Sequence, residues 1–247
     1  MNKQNAMNKL CIITYGRTGS TVAIRVGQEN FIRTQSPHEQ QRRIFAVGEI
    51  FRPDYCNNGY DMFGENGILR EHSKSIQPPT NSLETYLEQF LGIAEYYNSN
   101  VFICKIVIHD QSFLDNLNQY ISIMKNFKFV FLTRNLFDVN RSHKKAEVAK
   151  QWSDVDTTNI SVKLKLQELY DLSNWTNDCL SVCSKIVNKL LIIDYKELFY
   201  NNKINVEAYN RMLNYSFNNN IKYIMHNDVT EIPGKQDRSI IDFNSVY

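Results

Sequence analysis

No apolar run in this chain approaches the roughly 20 consecutive residues that cross a bilayer, and residues 1–9, M-N-K-Q-N-A-M-N-K, are too polar for a secretory leader. The expectation is a cytoplasmic protein without a transmembrane segment. An excess of one charge is also missing: 28 Lys and Arg against 26 Asp and Glu leave a net +2, which says nothing of a polyanionic partner. With no zinc spacing and no basic–aromatic platform, nothing points to nucleic-acid recognition. Cysteine is sparse, at 11, 56, 104, 179 and 183. An odd count without a C-x-x-C pair argues against a disulfide framework and for a reducing compartment. The five histidines are scattered, so no metal is expected. The oligomeric state leaves no trace in the sequence.

What is present describes a globular enzyme-sized chain. At 247 residues and 43% hydrophobic, it can bury a full core as one domain, residues 1–247. Neither an internal repeat nor a second-domain boundary is visible. Apolar runs at 10–14, 101–106, 127–132 and 190–193 read as strands buried on both faces, with a weaker one at 43–47. Helical patterns separate them at 21–29, 83–97 with Ser82 as N-cap, 115–125, 136–152, 160–189 and 206–217. The stretch 160–189 has its weak point at Ser173-Asn174. Such alternation predicts an α/β fold: a three-layer α/β/α arrangement around a mostly parallel sheet of four to five strands. Residues 52–80 hold too many Gly, Pro and Asn for a core element and read as an irregular insertion shaping an acceptor pocket.

The first strand empties into Y-G-R-T-G-S-T, Tyr15 to Thr21, followed by an amphipathic helix. Glycines 16 and 19 keep this turn free of Cβ atoms, so that backbone N–H groups and the helix start can face an anion. Thr18, Ser20 and Thr21 add hydroxyls, and Arg17 adds a planar cation suited to phosphate or sulfonate oxygens. The loop lacks the Gly-Lys pair of a Walker A motif and is not G-x-G-x-x-G. After the third strand, Arg134 stands at the strand end and Ser142 two helical turns later, placed to clasp a second phosphate in the crevice of an open sheet.

In order and spacing the two motifs resemble those of sulfotransferases that use 3′-phosphoadenosine 5′-phosphosulfate, especially the bacterial and carbohydrate-modifying branch. Those proteins carry R-[ST]-G-[ST]-[ST] after the first strand, here Arg17-Thr18-Gly19-Ser20-Thr21, and Arg and Ser separated by seven residues, here Arg134 and Ser142. Weaker echoes are Gly48-Glu49-Ile50-Phe51, Ile103-Cys104-Lys105, Trp152, and the run Ile192 to Leu198. Asn135 stands where many relatives have Asp. The resemblance implies a P-loop-like fold, with Arg17 to Thr21 on the 5′-phosphosulfate and Arg134 with Ser142 on the 3′-phosphate. It further implies that Lys235 and Gln236 belong to a segment closing over the nucleotide, whose product is adenosine 3′,5′-bisphosphate.

Sulfonate transfer asks the protein for positioning and charge stabilisation, with a base for the acceptor hydroxyl of a carbohydrate or small molecule. Glu49 is the first candidate base, given enough desolvation to raise its pKa toward neutrality; His109 is its rival. Lys105 either meets the donor sulfonate or packs its stem along the strand. Cys179 and Cys183, one turn apart, read as core. The other readings of the chain are a non-catalytic nucleotide-binding module and a P-loop-like metabolite kinase.

Overall fold

Five apolar runs pair into one sheet: β1 (Asn8–Thr14), β2 (Ile44–Glu49), β3 (Val101–Val107), β4 (Phe127–Thr133) and β5 (Leu190–Asp194). The computed structural model describes residues 7–34, 36–51, 82–150, 159–200, 203–215 and 221–224. The strands lie in the order β2-β3-β1-β4-β5, and every neighbouring pair is parallel. The expected insertion at 52–80, Cys56, Trp152, Lys235 and Gln236 lie outside the described residues.

Alternation along each strand feeds two separate apolar layers. Cys11, Ile13, Phe45, Phe102, Cys104, Phe129 and Phe131 face one side, against α2 (Leu83–Tyr96), α3 (Gln111–Asp115), α4 (Leu117–Ile123) and α6 (Leu166–Ile186). Leu10, Ile12, Ile44, Ile103, Val130 and Leu132 face the other, against α1 (Ser20–Arg33), the single turn α7 (Tyr195–Leu198) and α8 (Val206–Asn214). Both faces are therefore covered, which is why the strands read as continuous hydrophobic runs. Helix α5 (Leu136–Ala149) follows β4, and a short antiparallel pair, β6 (Phe199–Tyr200) with β7 (Lys203–Ile204), follows α7.

Several boundaries differ from the sequence expectation. The helix expected over 115–125 is two short ones. Asp110 caps the first by accepting from the Phe113 N–H, and Asn116 closes it by donating its Nδ2 to the Ser112 carbonyl. The long segment 160–189 is helical only over Leu166–Ile186, and it runs unbroken through Ser173-Asn174. Burial of Cys179 and Cys183, with Leu172 and Trp175 packed at the core margin, outweighs the weak propensity of those two residues. Helix α5 stops at Ala149, where Lys150 turns left-handed at φ 51°.

The strand order fixes where a ligand can enter. From β1 the chain moves to β2 on one side; from β4 it moves to β5 on the other. Neighbouring strands whose connections leave in opposite directions open a crevice at their C-terminal ends.

Candidate active site

The loop between β1 and α1 lies at that crevice. Gly16, Arg17 and Gly19 all have positive φ, at 57°, 50° and 90°. For Arg17 the left-handed conformation costs about 1 kcal/mol, so something must hold it. Arg134 does so from the end of β4, its Nη1 donating to the Arg17 carbonyl at 3.3 Å. Arg17 Nε in turn donates to Ser142 Oγ at 3.1 Å. Tyr15 donates its hydroxyl to the Arg134 carbonyl at 3.4 Å, and Thr14 Oγ1 donates to the Leu132 carbonyl at 3.2 Å. The loop is thus laced to β4 and α5 along one side.

Gly19 caps α1 without a side chain, and the first intrahelical donors are the Val22 and Ala23 N–H groups. The N–H groups of Ser20 and Thr21 precede them, at the positive end of the helix dipole. Thr18 differs from expectation: it is fully buried and its hydroxyl bonds back to that of Thr14, so it shapes the loop from inside. Arg134 and Ser142, expected to form a clasp apart from the first loop, both bond to Arg17. The structure makes one cluster of the two motifs.

A second group of side chains adjoins it. Lys105 on β3 is 6% exposed; its Nζ donates to Thr21 Oγ1 at 2.9 Å and pairs with Glu49 Oε1 at 3.2 Å. The other Glu49 oxygen meets His109 Nε2 at 3.0 Å. The row Thr21–Lys105–Glu49–His109 therefore runs from the start of α1 to a shallow depression lined by Glu49, Phe51, Lys105, His109 and Phe113. A β-bulge sets it up. Ala46 pairs with Ile103 but Glu49 pairs with Lys105, so β2 carries one extra residue between them. Were the register of Ala46 and Ile103 continued unbroken, Glu49 would lie opposite Ile106, with its side chain on the other face.

Burial by itself would raise the Glu49 pKa. The His109 hydrogen bond and the charges of Lys105 and His109 outweigh it, holding the carboxyl at about 2. This reverses the sequence expectation of a carboxylate raised toward neutrality, because the same fold that buries Glu49 also surrounds it with cations. Lys105, left open between two roles, buries its stem and turns its ammonium into the site.

Tyr195 was not singled out for any role by its sequence. At the first position of α7 it lays its ring under the Arg134 guanidinium, 4.7 Å from centroid to Cζ, and against Gly19. Next to Ser142 on α5, Lys144 pairs with Glu168 at 2.8 Å and His143 with Glu147 at 3.3 Å. Cys11, Cys104, Cys179 and Cys183 are buried free thiols, and burial pushes the last two up to about 12. Among the described residues no group of three or more His, Cys, Asp or Glu is arranged to hold a metal ion, and no helix is long and apolar enough to cross a membrane.

No protein-family model matches this chain, and no curated protein matches it. Any functional reading stands on the geometry of the site.

Proposed function

We propose that the chain binds 3′-phosphoadenosine 5′-phosphosulfate in a P-loop-like crevice and transfers its sulfonate to a hydroxyl of a carbohydrate or small-molecule acceptor. The observation that carries this reading is the convergence of Arg17, Arg134, Lys105 and the N-terminus of α1 at the C-terminal ends of three adjacent parallel strands. Three cations and a helix start suit a ligand with separated, highly charged oxyanion groups. The loop has no lysine of the P-loop kinase type, and arginine forks match the planar oxygens of sulfonate and phosphate.

In this reading the chemistry divides between the two halves of the site. The loop N–H groups, Arg17 and Lys105 meet the charge that grows on the bridging oxygen as the sulfur–oxygen bond breaks. Loss of one such contact costs about 3–4 kcal/mol in the transition state. An ionised Glu49 only accepts hydrogen bonds, so His109 Nε2 donates the shared contact, and in the neutral imidazole Nδ1 is then the acceptor. His109 Nδ1 takes the proton of the acceptor hydroxyl, whose oxygen bonds to sulfur as adenosine 3′,5′-bisphosphate departs. Glu49 orients the imidazole and stabilises its cation. The base assignment therefore passes from Glu49 to His109, since a carboxyl held near 2 has little affinity for a hydroxyl proton. Free buried thiols fit a cytoplasmic setting.

Isothermal calorimetry with adenosine 3′,5′-bisphosphate and ADP tests the donor. The bisphosphate is expected to bind at least about tenfold more tightly, a difference of 1.4 kcal/mol, with no requirement for magnesium. Equal affinities would remove the reading. Turnover of the phosphosulfate with a panel of glycans and small alcohols then separates an enzyme from a nucleotide-binding module.

A further inference from the structure

Strand β5, which ends the described sheet, leads into a turn that delivers an aromatic ring against both Arg134 and Gly19 of the anion cluster. Asp194 ends β5 and opens α7 with a reciprocal cap: its carboxylate accepts from the Lys196 N–H at 2.9 Å, and Glu197 accepts from the Asp194 N–H at 3.0 Å. Thr133, last in β4, donates to the Ile193 carbonyl at 3.3 Å and ties that turn to the strand that carries Arg134. The backbone of Tyr195 is thereby fixed on both sides. Tyr195 is 7% exposed, and its ring packs on Phe199 with centroids 4.8 Å apart.

From that seat the ring makes two contacts with the site. One face carries the Arg134 guanidinium at 4.7 Å. Its edge occupies the space where a Cβ at residue 19 would lie, so that Gly19 and Tyr195 are shape-matched. A guanidinium held by the face of a ring is restrained in position while its planar N–H donors stay available to other partners. One of them reaches the Arg17 carbonyl. The ring thus seats the Arg134 guanidinium, whose Nη1 contact supports the left-handed turn at Arg17.

We propose that Tyr195 is a positioning residue of the anion site, its π-face holding Arg134 in the orientation that recognises the phosphate remote from the reacting group. This deepens the nucleotide reading and rests on it for the identity of the ligand. The contact itself is a property of the unliganded chain and is tested separately.

Two replacements separate the electrostatic part from packing: Tyr195→Phe, and the same position filled by pentafluorophenylalanine, which keeps ring volume while reversing the charge distribution of its face. Affinity for adenosine 3′,5′-bisphosphate and for ADP is measured by calorimetry, and the Arg134 Nε–H resonance by NMR without ligand. Tyr195→Phe is expected to bind the bisphosphate within about twofold of the parent. The pentafluoro protein is expected to lose about tenfold in bisphosphate affinity, to change less toward ADP, and to lose the ring-current displacement of the Arg134 Nε–H signal. Unchanged bisphosphate affinity together with an unmoved Arg134 signal in the pentafluoro protein would overturn the proposal. If the parent binds neither nucleotide, the donor reading fails, and the Arg134 signal in the two variants decides on Tyr195. Thermal unfolding of both variants checks the fold; if the pentafluoro protein does not fold, Tyr195→Leu takes its place in the same comparison.

Discussion

Glu49 shows how a single side chain ties stability to the site. Its pKa stands at about 2 in the folded protein against an ordinary 4.5. A depressed carboxyl stabilises the fold fully above pH 4.5, and the contribution is lost as pH falls through about 2. Glu49→Gln is therefore expected to lower stability at pH 7 by roughly 3 kcal/mol. Urea denaturation at stepped pH should show that gap closing toward pH 2–3; a gap independent of pH would separate the loss from the carboxylate charge. In activity, His109→Ala should fall by about 100-fold or more, while Glu49→Gln, which still accepts from His109, should retain more. The arginines form a second coupled set. Arg134 braces the carbonyl of Arg17, so the single alanine variants cannot act independently. A double-mutant cycle on donor binding should give a coupling energy of about 1 kcal/mol or more; strict additivity would contradict the shared cluster.

At the scale of elements, a bulge, a loop and a buried cation decide how the layers meet. Arg43, just before β2, is buried and donates Nε and Nη2 to the Thr34 carbonyl at 2.9 and 2.6 Å and Nη1 to the Tyr97 carbonyl at 2.5 Å. Thr34 and Tyr97 are the C-caps of α1 and α2, which lie on opposite faces of the sheet. One guanidinium therefore answers the negative ends of two helices and joins both layers at the edge away from the site. Arg43→Met should destabilise the protein by roughly 3 kcal/mol, because buried carbonyls lose charged donors. Arg43→Lys should recover only part, since an ammonium cannot span both carbonyls with a planar fork. Chemical denaturation of the two variants measures this, and full recovery by lysine would show that charge alone suffices.

Across the whole molecule, stability should be graded from the centre of the sheet outward. β1 is paired on both sides, to β3 and β4, and its core residues are fully buried. β5 ends the described sheet, and Ile192 on it is 49% exposed. Native-state hydrogen exchange is expected to be slowest in β1, β3 and β4 and faster by about tenfold or more in β5. The anion cluster straddles this gradient, with its loop rooted in β1 and its aromatic support in β5. A nucleotide bound across the crevice should slow exchange in β5 and α7 more than in β3. Uniform slowing would place the ligand elsewhere.

The sequence by itself determined the layered α/β character, since runs such as 101–106 and 127–132 are apolar on both faces and helical periods lie between them. It also determined the glycine turn at 16 and 19 and the cap at Ser82, because backbone sterics and local hydrogen bonds act within a few residues. Only the tertiary structure decided the strand order and, with it, that Arg17, Arg134 and Ser142 share one cluster. It alone decided that the β2 bulge turns Glu49 toward Lys105, that the cations there pull its pKa down, and that Tyr195 arrives beneath Arg134. Such facts depend on charges and rings from strands distant in sequence, and their fields and contacts exist only once the chain has closed the sheet.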